Sequence, residues 1–193
     1  MSLALVVLVL ASAFRVFVLH VPVLSNFSPV MALAFCAGAY TRNRWMWIAP
    51  FAALIVSDLY IDRYYAQVYH YEWSTQGAAL RIICFAAALA LGVGVSRRRN
   101  WLNILGGTLA GSFFFYLVTN TASWHGDLGY TQDFAGWWQA VTVGHPQYLP
   151  TFFFFRNSLV SDLLFTGCFA LMMEYSLLRR GEPSLLGLKQ VSR

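Results

Sequence analysis

Two identical tetrads, Val-Ser-Asp-Leu at Val56–Leu59 and at Val160–Leu163, each set a carboxylate inside an apolar run. The second lies in FFFFRNSLVSDLLF, Phe152 to Phe165, which also holds Arg156 and Asn157. An ionisable side chain within an apolar span costs about 2.5–3.5 kcal/mol on insertion scales, so it faces a cavity or a partner. Asp162 lies eleven residues from Thr151, about 16 Å along a helix. Arg156 stands about 9 Å before it and roughly 240° around, so the two do not pair directly. Asp58 and Asp162 therefore either make interhelical hydrogen bonds that fix packing or line a polar pocket. Arg156 is either a ligand-facing cation or half of a structural ion pair. Asn120, between Thr119 and Thr121, adds a polar group at the end of another apolar run.

Other chemistry is sparse. His20, His70, His125 and His145 lack metal-ligand spacing, and no serine or cysteine sits in a nucleophile motif. The sequence therefore predicts no enzyme, no metal site and no cofactor. Cys36, Cys84 and Cys168 have apolar neighbours and no close pairing, so they read as small buried hydrophobes.

The elements that position these groups follow from composition. The chain has 193 residues, 59% hydrophobic and 11% charged, against about a quarter charged in soluble domains. Bilayer is the natural solvent for such a chain. Apolar runs place spans at about 2–19, 29–40, 46–61, 78–95, 101–120 and 151–178. No Lys or Arg precedes the first, so it reads as a retained helix rather than a cleaved signal.

Arg42 and Arg44, then Arg97, Arg98 and Arg99, then Arg179, Arg180, Lys189 and Arg193 fall in alternate connections. The positive-inside rule then puts both termini and these basic segments in the cytoplasm. The net charge of +5 is dispersed in topology signals, which argues against a nucleic-acid partner.

The outward connections, about 62–77 and 121–150, are aromatic. They include Tyr65, Tyr71, Trp73, Trp124, Trp137 and Trp138, which suit either a belt at headgroup level or a lid that packs on a flat ligand. Within the second, Asp133 to Val143 has the pattern of a short amphipathic interfacial helix. Ala34 with Gly38, and Gly107 with Gly111, have the small-xxx-small spacing of close helix contacts, within the chain or with another subunit. The repeated tetrad falls in spans three and six, which run in opposite directions, as in an inverted repeat.

At SNFSPVMALAFCAGAY, IVSDLY, LGGTLAGSFFFYLVTNTASW and FFFFRNSLVSDLLFTG the chain resembles a bacterial family of unknown function described as putative transport proteins. That family is distantly similar to the substrate-binding S components of energy-coupling factor transporters. The resemblance implies six helices with both termini inside and capture of a vitamin-like solute from outside. It also implies delivery with a membrane coupling subunit and ATPases, and a polar set of Asn26, Asp58, Asn120, Trp124, Arg156, Asn157 and Asp162 around the pocket. Span one lacks the Ala-xxx-Ala pair through which many S components dock.

The expectation is thus an all-α integral membrane protein with an S-component-like bundle over 1–178 and a basic cytoplasmic tail over 179–193. It would reside in a bacterial inner membrane and bind a small organic micronutrient, a vitamin or a corrinoid, for uptake. The alternative is a non-transporting accessory subunit of a larger membrane complex, in which the internal charges only pair with one another.

Overall fold

The computed structural model describes residues 3–69 and 74–186. Among these residues the structure is all helical: α1 (Leu3–Val18), α2 (Val30–Tyr40), α3 (Trp45–Tyr69), α4 (Thr75–Ser96), α5 (Trp101–Gly126), α6 (Phe134–Thr142) and α7 (Thr151–Arg179), with one 3-10 turn at Pro22–Leu24. Polar residues outside the apolar runs start three of them. Ser74, Asn100 and Asp133 each accept the backbone N–H three residues on, at 3.2, 2.7 and 2.8 Å, which satisfies a donor the helix itself leaves free.

Four helices, α3, α4, α5 and α7, are long and apolar enough to cross a membrane. Helix α2 has 11 residues, about 16 Å, and so is shorter than a hydrocarbon core of about 30 Å. The short helix expected over Asp133 to Val143 is present as α6. Helix α3 runs eight residues beyond its expected end, so 62–69 is helix rather than loop. No Gly or Pro interrupts IDRYYAQVY, and Asp62 is tied to α4 through Arg81. Tyr71, Trp73, Lys189 and Arg193 lie outside the described residues.

The bundle is organised around α2, which packs most extensively on α4 and also on α7 and α3. Eight of its eleven residues are buried. Small side chains allow the approach. A Cβ on Gly38 would overlap the Leu89 carbonyl oxygen, and one on Gly92 would overlap the Phe35 carbonyl oxygen. Gly107 similarly makes room for the Phe35 ring. The two small-xxx-small pairs of the sequence are thus used at least in part within the chain.

Burial elsewhere mixes large apolar residues such as Leu54, Phe85 and Ile104 with small and polar ones. The interior holds Ala, Gly, Ser and Thr, while Val56, Leu59, Leu102, Phe152 and Leu164 point outward, as expected where lipid rather than water surrounds the helices. Cys36 and Cys84 are buried, but Cys168 faces outward from α7 and departs from the expectation of a buried thiol.

Because the α2–α4 contact is backbone against backbone, Gly38→Val or Gly92→Val should destabilise the protein by about 1–3 kcal/mol or more. Gly94→Ala, where an added Cβ meets nothing within 4 Å, should be neutral or gain up to about 1 kcal/mol of helix propensity. Denaturant unfolding in detergent checks both. Equal losses at all three positions would refute the packing assignment.

Candidate functional site

The charges carried by the helices fall into separate clusters. In the first, α3 presents Asp58 and Asp62 to arginines of α1 and α4. Arg15 Nη1 pairs with Asp58 Oδ1, and Arg81 Nε donates to Asp58 Oδ2 at 2.8 Å. Arg81 Nη2 reaches Asp62 Oδ2 at 3.2 Å. Arg15 also donates to Ser57 Oγ at 2.7 Å, and Ser57 in turn donates to the Ala53 carbonyl of its own helix at 2.7 Å. Two cations and two anions give a neutral set, with side chains 14–25% exposed. Both oxygens of Asp58 are thus occupied by arginines of the chain.

The second cluster fastens the chain between α1 and α2 to α7. Asn157 Nδ2 donates to the Val23 and Ser25 carbonyls at 2.8 and 3.0 Å. Ser158 Oγ reaches the Asn26 carbonyl at 3.4 Å, and Ser161 Oγ accepts from the Ser28 N–H at 3.2 Å. Asn26 adopts φ 65°, a left-handed conformation that asparagine tolerates better than most residues. Asn157, Ser158 and Ser161 thus satisfy the non-helical backbone around Asn26 and hold it against the bundle.

Asp162, one turn further along, accepts from Ser112 Oγ of α5 at 2.6 Å and is 4% exposed. Arg156 faces outward, with Asn157 Oδ1 at 3.2 Å and the Phe153 ring 4.9 Å from its guanidinium carbon. As the spacing predicted, Arg156 and Asp162 do not pair. Asn120 turns back on its own helix, donating to the Tyr116 carbonyl at 2.7 Å.

The long connection after α5 is a folded cap. Trp124 Nε1 donates to the Thr131 carbonyl at 2.8 Å, and Gln132 Nε2 returns a bond to the Trp124 carbonyl at 2.8 Å. Trp137 Nε1 donates to Thr121 Oγ1 at 3.0 Å, and Thr151 Oγ1 to the Ala140 carbonyl at 2.9 Å, which ties α6 to both α5 and α7. Trp138 and Phe134 stack at 6.4 Å on the outer face and are exposed. Tyr65 stands on the α3 extension beside Tyr64. Asp133 accepts from the Gly136 N–H and from the Thr131 hydroxyl, and these bonds hold its carboxyl below the usual range. Burial and the nearby Asp127 carboxylate push the Tyr130 phenol up.

A third cluster lies at the basic end. Glu174 of α7, fully buried, has Arg99 Nε 3.0 Å from Oε1, an ion pair whose N–H is not aligned on the oxygen. Its Oε2 accepts the Leu185 N–H at 2.6 Å, and Arg99 also lies 4.8 Å over the Tyr40 ring. This contact joins the end of α2, the α4–α5 connection and the segment after α7.

The proposed polar set is therefore distributed over several clusters: Asp58 is met by two arginines, Asp162 by one serine hydroxyl, and Arg156 by no carboxylate among the described residues. Sequence reasoning missed Arg15, Arg81, Asp62, Ser112, Arg99 and Glu174. Arg15, Arg81 and Glu174 sit within apolar runs, so the criterion that singled out Asp58 would have found them. Ser112 carries no such signal, because a hydroxyl is common at helix contacts in lipid.

The chain belongs to a family of unknown function, DUF6580, whose profile matches residues 1–185. No curated protein and no solved structure matches it. None of these findings links the chain to S components of coupling-factor transporters.

Removing Asp58 leaves two arginines facing each other in a largely apolar setting. Asp58→Asn should therefore cost about 3–5 kcal/mol of stability. Asp62→Asn, which leaves Arg81 still paired to Asp58, should cost less. Urea midpoints in detergent give the comparison, and equal losses would show that Asp58 is no hub. The Asp133 cap gives a pH dependence of its own. Its carboxyl is held low, so its stabilisation is complete above the ordinary carboxylate range and is lost as pH falls through the depressed value. Trp137 fluorescence should report that loss in acid only, and a change near neutral pH would contradict it.

Proposed function

We propose that this member of a family of unknown function is a polytopic transport protein of a bacterial cytoplasmic membrane. In this reading it binds a small organic micronutrient with an anionic group at the end opposite its basic connections. The observation that carries the proposal is Arg156. Arg15, Arg81 and Arg99 are each paired with a carboxylate. Arg156 is exposed and has no carboxylate partner among the described residues. Asn157 Oδ1 and the Phe153 ring hold the guanidinium in place, and its remaining N–H groups can take a planar, bidentate anion.

The topology that suits this role has six crossings and cytoplasmic termini. The Arg99–Glu174–Tyr40 cluster gathers the ends of α2, α4 and α7 on the basic side, in keeping with the charge rule. Helix α2 is too short alone, but the segment before it is held against α7 by Asn157, Ser158 and Ser161. Non-helical backbone at membrane depth is tolerated when protein satisfies it in this way. A membrane coupling subunit with ATPases would supply energy, as the resemblance to S components implies.

A second reading, an accessory subunit of a larger complex, is favoured by a separate feature. An open groove of about 1270 Å³ runs between α4 and α5, lined by Ala90, Gly94, Gly106 and Ala110 and ending at Arg97 and Arg98. An added Cβ on Gly94 or Gly106 meets nothing within 4 Å, so no element among the described residues uses that smoothness. A partner helix would.

Mass spectrometry of small molecules released from the purified protein should find a stoichiometric organic ligand. Arg156→Ala should weaken its binding about tenfold or more, roughly 1.4 kcal/mol, with the melting midpoint unchanged. An empty wild-type protein, or a ligand retained by the variant, would sink the transport reading. Gly106→Cys cross-linking to a co-purifying subunit would then support the second.

A further inference from the structure

The connection between α4 and α5 divides its arginines. Arg99 pairs with the buried Glu174 and lies over the Tyr40 ring. Arg97 and Arg98 are exposed and have no carboxylate partner among the described residues. Both border the open groove between α4 and α5, and with Asn103 they supply the polar side chains of its lining. Asn103 is already engaged, since its amide donates to the Arg98 carbonyl at 2.5 Å. The groove therefore has two uncompensated positive charges at one end and no acidic residue in its lining. The start of α5, where a helix bears partial positive charge, lies at the same end.

The rest of the lining is apolar, with Ala87, Ala90 and Leu91 on α4 facing Gly106, Ala110 and Phe114 on α5. Its volume of about 1270 Å³ exceeds the roughly 300–1,000 Å³ of small-solute sites. Its length is equally informative. From Ala87 to Arg97 is about 15 Å along α4, and from Leu102 to Phe114 about 18 Å along α5. That is about half of a hydrocarbon core of about 30 Å, the depth of one leaflet. A partner helix crossing the whole membrane would leave about half its length outside the groove.

We propose that the groove holds one anionic glycerophospholipid, with its phosphate met by Arg97 and Arg98 and an acyl chain lying along the small residues of α4 and α5. Arginine takes phosphate oxygens in bidentate fashion. Basic sites between helices near a membrane surface bind anionic headgroups in this way. The small side chains leave the acyl chain room for close dispersion contact with both helices. The inference goes beyond both functional readings. It requires only that α4 and α5 lie in a bilayer, and it needs no solute at Arg156.

Native mass spectrometry of the full chain in detergent tests the proposal, with dioleoyl phosphatidylglycerol and dioleoyl phosphatidylcholine added at equal concentration. The wild type retains one phosphatidylglycerol in preference to phosphatidylcholine by about tenfold or more. Arg97→Gln with Arg98→Gln abolishes the preference. Arg42→Gln with Arg44→Gln, the same loss of charge in another basic connection, leaves it intact. Gly106→Leu fills the groove while keeping both arginines, and it lowers phosphatidylglycerol retention about tenfold or more. Equal retention of the two lipids by the wild type, an equal response of the two arginine pairs, or undiminished binding by Gly106→Leu would each overturn the proposal. So would a Gly106→Cys cross-link to a second copy, or to a co-purifying helix, in place of lipid. Should Gly106→Leu fail to fold, Gly94→Leu, at another open position, carries the comparison.

Discussion

The close approach of α2 to α4 is the constraint on which the rest of the bundle depends. Gly38 and Gly92 bring the two backbones together, each where a Cβ would strike a carbonyl oxygen of the other helix. In lipid no hydrophobic force favours helix contact, so van der Waals contact at short range and interhelical polar bonds must supply it. Helix α2, the most buried element, consequently meets α4 on one side and α7 on another. Its shortness has a consequence. The chain that leads into it is not helical, and α7 must carry Asn157, Ser158 and Ser161 to satisfy that backbone.

The polar groups then occupy distinct places along the bundle. The Arg15–Asp58–Arg81–Asp62 set locks α1 and α4 to α3. Asp162 bonds α7 to α5 beside a water-sized cavity. Glu174 and Arg99 close the basic end. The first and last are internally compensated, which is how an ionised group survives in apolar surroundings. The middle one is not. Pairing within the chain therefore accounts for most of the interior charge.

Much of the fold was legible in the sequence because hydropathy is a local property. Each long apolar run became a helix, and the pattern from Asp133 to Val143 became α6. The end of α3 was misplaced for a physical reason. Polar and aromatic residues after Ile61 lower the hydropathy without breaking the helix, and apolarity was the signal used to place the boundary. The candidate site was less legible. Asn120 and Trp124 are polar groups whose partners lie on their own helix or in the adjoining loop, a fact that composition does not reveal.

The repeated tetrad shows where the division falls. By itself the sequence determined that Asp58 and Asp162 would lie within apolar helices, that neither could remain unsatisfied, and that Asp162 and Arg156 would face apart. Those conclusions need only hydropathy, helical rise and helical rotation. Only the tertiary structure decided that Asp58 meets two arginines while Asp162 meets one serine. Identical neighbours along the chain met different neighbours across it, because Arg15 and Arg81 reach Asp58 from 43 and 23 residues away and Ser112 reaches Asp162 from 50. Partners at that separation are chosen by which helices pack together, a property of the whole bundle that no local stretch of sequence carries.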